Sequence, residues 1–171
     1  KGIDPEVKAE TISNAGFEKG LGDTEGTLFG WKTNRSDSKI EIQADSVVRA
    51  EGQRSLKITF KNYAKPDLYN VSQLVAVQPS ARYRLTFMLR VENLRTGGEP
   101  VMEVVDANSD IMLVRTPRFP LGSQEWQQMT LEFTVPEKCD GITIRTARET
   151  CGENCPISGM VWLDNFTLER F

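Results

Sequence analysis

Three cysteines, a dispersed set of carboxylates and no histidine bound the chemistry open to this chain. Without an imidazole, Ser-His-Asp and Cys-His nucleophilic mechanisms are excluded, as is every His-ligated metal centre. Cys151-Gly-Glu-Asn-Cys155 closes a short loop bounded by Gly152 and Pro156, across which a disulfide is sterically allowed if the loop turns tightly. A bridge there points to an oxidising compartment, and two reduced loop thiols are the alternative. Zinc would need Cys139 and a carboxylate to complete its ligands, at a spacing that matches no zinc pattern. Gly20-Leu-Gly22-Asp-Thr-Glu-Gly26 has the wrong spacing for a dinucleotide loop and follows no apolar strand. Paired carboxylates can hydrolyse glycosides without histidine. No cluster of Asp and Glu falls at strand ends here, so the chain reads as non-catalytic.

The elements that must position these groups are strands. Leu56, Ile58 and Phe60 alternate with polar residues, as do Tyr83, Leu85, Phe87, Leu89 and Val91, and again Met129, Leu131, Phe133 and Val135. A period of two marks a half-buried strand with one face on a core. Weaker strands fit 40–44, 69–77, 101–105, 111–115, 142–148 and 160–169, punctuated by Gly52, Pro79, Gly97-Gly98, Pro117, Pro120, Pro136 and Gly141. No window carries a helical period. Strands at this spacing without interleaved helices predict an all-β fold, two antiparallel sheets packed face to face as a sandwich. Gly16 to Gly30 reads as a long glycine-rich loop after a short first strand.

At 171 residues the chain is sized for one domain, and residues 1–10 read as a linker remnant before a single domain over 11–171. The start is not a signal peptide, and a first residue other than Met reads as an excised piece of a longer protein. Apolar residues make up 39% and charged residues 26%, an ordinary globular balance. A net charge of −3 gives no basic excess for tracking phosphates, so nucleic acid is not an expected partner. No apolar run is long enough to cross a bilayer, so no membrane insertion is expected.

Asn14-Ala-Gly-Phe-Glu18, Gly30-Trp31, Gly52-Gln-Arg-Ser-Leu56, Gln73 followed by Val77-Gln-Pro79 and Tyr83, Trp126, and Val161-Trp-Leu-Asp-Asn-Phe-Thr-Leu168 occur in this order. Together they resemble carbohydrate-binding modules of families 4, 9 and 22, with a galactose-binding-like jelly roll. The stretch from Cys155 to Asp164 is also similar to C-terminal β-sandwich domains of bacterial tetratricopeptide-repeat envelope proteins. The resemblance implies a non-catalytic glycan-binding module of a larger extracytoplasmic protein, its polysaccharide or oligosaccharide held on a concave sheet face. The alternative is a structural or protein-interaction domain without a sugar site.

Sugar recognition needs an aromatic ring to stack on a pyranose and planar polar groups to bind hydroxyls. Trp126 and Trp162 are expected as packing anchors, while Trp31 lies in a glycine-flanked loop and is a ligand candidate. If Tyr83 to Leu89 face the core, Arg84, Thr86, Met88 and Arg90 line the opposite face. Tyr69, Gln73, Arg90, Glu103, Arg145 and Arg148 are the expected occupants of the binding face. Such a face suits acidic or heavily hydrogen-bonding glycans. The resemblance further implies a structural calcium ion held by Glu18 and Asp164, with carbonyls near Gly52 and Ser55.

Overall fold

The computed structural model describes residues 8–21 and 28–171. Ten strands follow in order: β1 Lys32–Thr33, β2 Ile40–Asp45, β3 Ser55–Tyr63, β4 Val71–Ala76, β5 Arg82–Arg95, β6 Pro100–Asp106, β7 Met112–Arg115, β8 Gly122–Thr134, β9 Gly141–Arg148 and β10 Ile157–Arg170. They form two five-stranded antiparallel sheets, β1-β4-β9-β6-β7 (sheet I) and β2-β3-β10-β5-β8 (sheet II). The described residues contain no helix. The expected sandwich is what the chain adopts.

Alternation in sequence becomes alternation in burial. Tyr83, Leu85, Phe87, Leu89 and Val91 of β5 and Leu56, Ile58 and Phe60 of β3 face inward from sheet II, meeting Val71, Val75, Met102, Val104, Ile142 and Ile144 of sheet I. Removing those side chains from water is the main driving force for stacking the two layers.

One residue changes phase. Trp162 and Asp164 of β10 pair with Arg90 and Met88, which point away from the core. A β-bulge at Asn165, where φ is +50°, shifts the pairing so that Phe166 turns inward and stacks on Phe87. An extra residue in one strand flips every side chain after it. Phe17 and Trp31 then close over Phe166, with ring centroids 5.1 Å apart from each other and 5.0 Å from Trp31 to Phe166.

Two boundaries differ from the sequence reading. Residues 8–21 form turns rather than a first strand. Glu10 is also part of the fold: its amide donates to the Ala76 carbonyl, and its carboxylate accepts from the Tyr83 hydroxyl at 2.6 Å and pairs with Arg170. A linker boundary at residue 10 therefore cuts through bonded chain.

Candidate functional site

The expected binding residues divide among three places. Three of them are interior. Trp31 is 1% exposed, packed in the aromatic cluster with its indole N–H donated to the Asn14 carbonyl. Gln73 points inward between Val71 and Val75, because odd positions of β4 face the core. Its side-chain oxygen accepts from the Ser13 amide at 2.7 Å and its nitrogen donates to the Ser13 carbonyl at 2.9 Å, clamping the N-terminal segment. Arg148 ends β9 on the inward side and is 7% exposed. These three are corrections: each is consumed by the fold and none meets solvent in a position to touch a sugar.

Arg90 lies on the outer face of sheet II. Its guanidinium stacks over Trp162 at 4.7 Å and pairs with Glu92 and Glu125. Trp162 is roofed from the other side by Lys57. That face is an ion-paired surface, on the far side of the sandwich from the remaining candidates.

Tyr69, Glu103 and Arg145 do meet, on the outer face of sheet I. Glu103 and Arg145 are cross-strand partners in β6 and β9, and Arg145 is paired on its other side with Ser72 of β4. The Arg145 guanidinium donates from Nε to Glu103 Oε1 at 2.7 Å and from Nη1 to Asp110 Oδ1 at 2.8 Å. Its plane lies 3.9 Å from the centroid of the Tyr69 ring, which is 49% exposed. Burial works to lower the Arg145 pKa, but the two carboxylates outweigh it and hold the group above its ordinary value. The result is a half-exposed ring pinned on one face by a guanidinium.

Beside this cluster on the same face opens a cavity of about 560 Å³. Leu28, Leu74 and Ala76 give it apolar walls, and Lys32, Asn108 and Thr143 supply polar groups. An apolar concavity with a few directed polar groups is the usual form of a small-ligand site. Asp110 and the cavity walls were not expected from the sequence. Asp110 follows the Asp106-Ala-Asn-Ser turn between β6 and β7, so its arrival beside Arg145 depends on the register of two strands.

Glu18 and Asp164 come together where the N-terminal segment crosses the loop at 50–54. Asp164 Oδ2 accepts from the amides of Ala50 and Glu51, and Glu18 accepts from those of Gln53 and Arg54. A methyl group placed on Gly16 would touch Glu18 Oε1 at 3.7 Å and Asp164 Oδ1 at 3.8 Å, so the two carboxylates share one small cradle. Burial raises the Asp164 pKa above its ordinary value; the amides of Glu51, Ala50 and Asn165 oppose this and the Glu18 charge adds to it. The pair is two close carboxylates, Asp164 buried and Glu18 exposed, and such hard oxygen donors are of the type a calcium ion takes. Among the described residues no group of three or more His, Cys, Asp or Glu is placed to hold a metal ion, so a cation at Glu18 and Asp164 would take the rest of its shell from carbonyls or water. Cys151 and Cys155 are joined by a disulfide, and Cys139 is a free, buried thiol.

A comparison with curated proteins gives no match. Solved structures do match across the chain. A CBM4 module superposes with a TM-score of 0.63 at 16% identity, covering 94% of this chain and 99% of that one. TmCBM61 in complex with β-1,4-galactotriose gives a TM-score of 0.57 at 18% identity over 94% and 97% of the two chains. The CBM22-1 and GH10 modules of a Clostridium thermocellum endo-1,4-β-D-xylanase, complexed with xylohexaose, give 0.58 at 12% identity, covering 95% of this chain and 29% of that one. At these identities the likeness speaks for the fold alone. The sequence carries the assignment further: residues 9–149 match the model of the carbohydrate binding domain family, which is most of the chain, and the protein belongs to that family.

Proposed function

We propose that the outer face of sheet I is the glycan-binding face of this domain, and that the domain binds without catalysing. The observation that carries the reading is the Tyr69 ring, half-exposed, braced by Arg145 and adjacent to a cavity of about 560 Å³. A pyranose stacks on the exposed part of the ring, while polar groups along the cavity take its hydroxyls. The two carboxylates of the cluster are both committed to one guanidinium, which speaks against their use as an acid–base pair. One cation against two anions makes the cluster net negative, which favours a neutral, heavily hydrogen-bonding glycan over an acidic one, the two classes the sequence left open.

The galactotriose and xylohexaose held by TmCBM61 and the xylanase modules make neutral β-linked oligosaccharides the first ligands to test. The chain spans only part of that xylanase, consistent with a place in a multidomain parent that adds avidity. The disulfide supports an extracytoplasmic location.

Affinity gels and calorimetry with xylan, β-1,4-galactan, mixed-linkage β-glucan and polygalacturonate test the reading. A neutral glycan should be retained, and Tyr69→Ala should weaken it about tenfold, the equivalent of roughly 1.4 kcal/mol, with melting unchanged. Unaltered binding by Tyr69→Ala, or retention of polygalacturonate alone, overturns it.

Calcium held by Glu18 and Asp164 would be structural, neutralising the carboxylate pair and tying the N-terminal segment to β10 and the 50–54 loop. At a hundredfold excess over Kd it should raise Tm by about 5–10 °C, reversed by chelator. A Tm indifferent to both removes the metal.

A further inference from the structure

Arg148 is a buried cation whose hydrogen-bond partners are all formally neutral. Its guanidinium donates to the Lys65 carbonyl at 3.0 Å, to Thr96 Oγ1 at 3.2 Å and to Cys155 Sγ at 3.0 Å. Among the described residues no carboxylate forms an ion pair with it, and the adjacent Glu149 pairs with Arg115 and Arg118 instead. Burial lowers its pKa from the ordinary arginine value, opposed by the Tyr63 hydroxyl group alone. An unpaired buried charge is costly. The hydrogen-bonded partner that can become an anion is the sulfur of Cys155, once its bond to Cys151 is broken.

The two cysteines differ in access. Cys151 is exposed, whereas Cys155 is 4% exposed. Next to the bridge lies a second cavity, of about 410 Å³, whose walls include Arg95, Thr96, Gly97 and Pro156. Gly97 borders both sulfurs: a methyl group placed on it would lie 3.5 Å from Cys151 Sγ and 4.0 Å from Cys155 Sγ. An acidic thiol seated there would have the Arg95 cation for a carboxylate and the sulfur of the more exposed cysteine for its own.

We propose that the Cys151–Cys155 bridge is an exchangeable disulfide and that Cys151 is a site of addition for small thiols bearing carboxylates, of the glutathione class. The incoming thiolate attacks Cys151 Sγ, the bond to Cys155 breaks, and its electron pair leaves on Cys155 Sγ as a thiolate facing Arg148. A mixed disulfide between Cys151 and the small thiol results. A second thiolate then attacks the small-molecule sulfur of that adduct, forming the oxidised dimer of the small thiol and releasing Cys151. In total, two small thiols are oxidised and the bridge gains two electrons. A leaving thiolate stabilised by a nearby cation departs faster, and its reduced form is favoured at equilibrium. This inference does not depend on glycan binding.

The test is equilibration of the oxidised protein in buffers of reduced and oxidised glutathione, followed by acid quenching and peptide mass spectrometry. The glutathione adduct should map to Cys151. Arg148→Met should lower the ratio of reduced to bridged protein at least tenfold, about 30 mV for a two-electron couple. Arg95→Glu should slow reaction with glutathione and not with cysteamine, a cationic thiol. An adduct on Cys155, or an unchanged ratio in Arg148→Met, overturns the exchange mechanism. Equal slowing of both thiols removes the preference for acidic ones. Should Arg148→Met fail to fold, the reduced native protein still decides. Alkylation of Cys155 should follow a thiolate titrating below the ordinary cysteine value near 8.5, and a midpoint at or above it overturns the proposal.

Discussion

Asp45 accepts the indole N–H of Trp162 at 2.9 Å and the amides of Val47 and Val48. Burial works to raise its pKa, but these three bonds and the Lys57 charge prevail and hold it below its ordinary value. A folded-state pKa below the unfolded one adds stability that is complete above about pH 4 and is lost as pH falls through the folded value. Asp45→Asn turns an NH₂ group toward a donor and should cost about 1 kcal/mol at pH 7. In urea titrations the cost should shrink as pH falls below about 4 and the wild-type carboxylate takes up its proton; a cost that does not change with pH contradicts the assignment. Residue roles at this scale were only partly legible. Glu103 and Arg145 meet because outward positions on neighbouring strands lie side by side in any sandwich, and Tyr69 reaches them from the turn before β4. Gln73 was misread because a polar residue at an inward position looks the same in sequence as one at an outward position. Only the Ser13 backbone, sixty residues away, shows why it is there. Gln73→Leu should therefore cost about 1–3 kcal/mol by orphaning both Ser13 groups, although it increases the apolar character of the core.

Strands with one covered face were readable from their period; β8 was readable only in part. Its second half, with Leu131 and Phe133 inward, alternates, but in Gly122–Gln128 Trp126 is the one large apolar side chain, half-buried among exposed neighbours. As an edge strand it pairs with β5 alone, and its first half is mostly exposed, so no apolar alternation is selected there. The two-residue β1 is too short to carry a period at all. Glycines mark where strands are bent. Gly159 of β10 has φ +118°, and a methyl group there would meet the Asn93 carbonyl oxygen at 2.4 Å and Leu94 Cα at 2.8 Å. Gly122 has φ +78° with open space around it. Gly159→Ala should destabilise by about 3 kcal/mol and Gly122→Ala by about 1 kcal/mol, since the first adds a backbone clash to the same conformational strain. Chemical denaturation compares the two, and similar costs would mean that β10 shifts freely against β5.

The molecule as a whole divides its labour between two surfaces. Sheet II turns outward a lattice of ion pairs, Arg84 with Glu132 and Arg90 with Glu125 among them, each of small worth in water. Sheet I turns outward the braced tyrosine and its cavity. The fold class was legible because both sheets obey one period. The pairing of distant strands was not, since register depends on turns and on the Asn165 bulge rather than on local preference. In sheet II, β10 lies between β3 and β5 although it comes last of the ten. Removing residues 157–171 should abolish the near-ultraviolet circular dichroism of the core, and a native-like spectrum would show that four strands can close without it. The same placement sets an order of events during synthesis. Until residue 170 has cleared the ribosome, the halves of that layer have no common neighbour, so this half of the sandwich can close only after the last strand emerges.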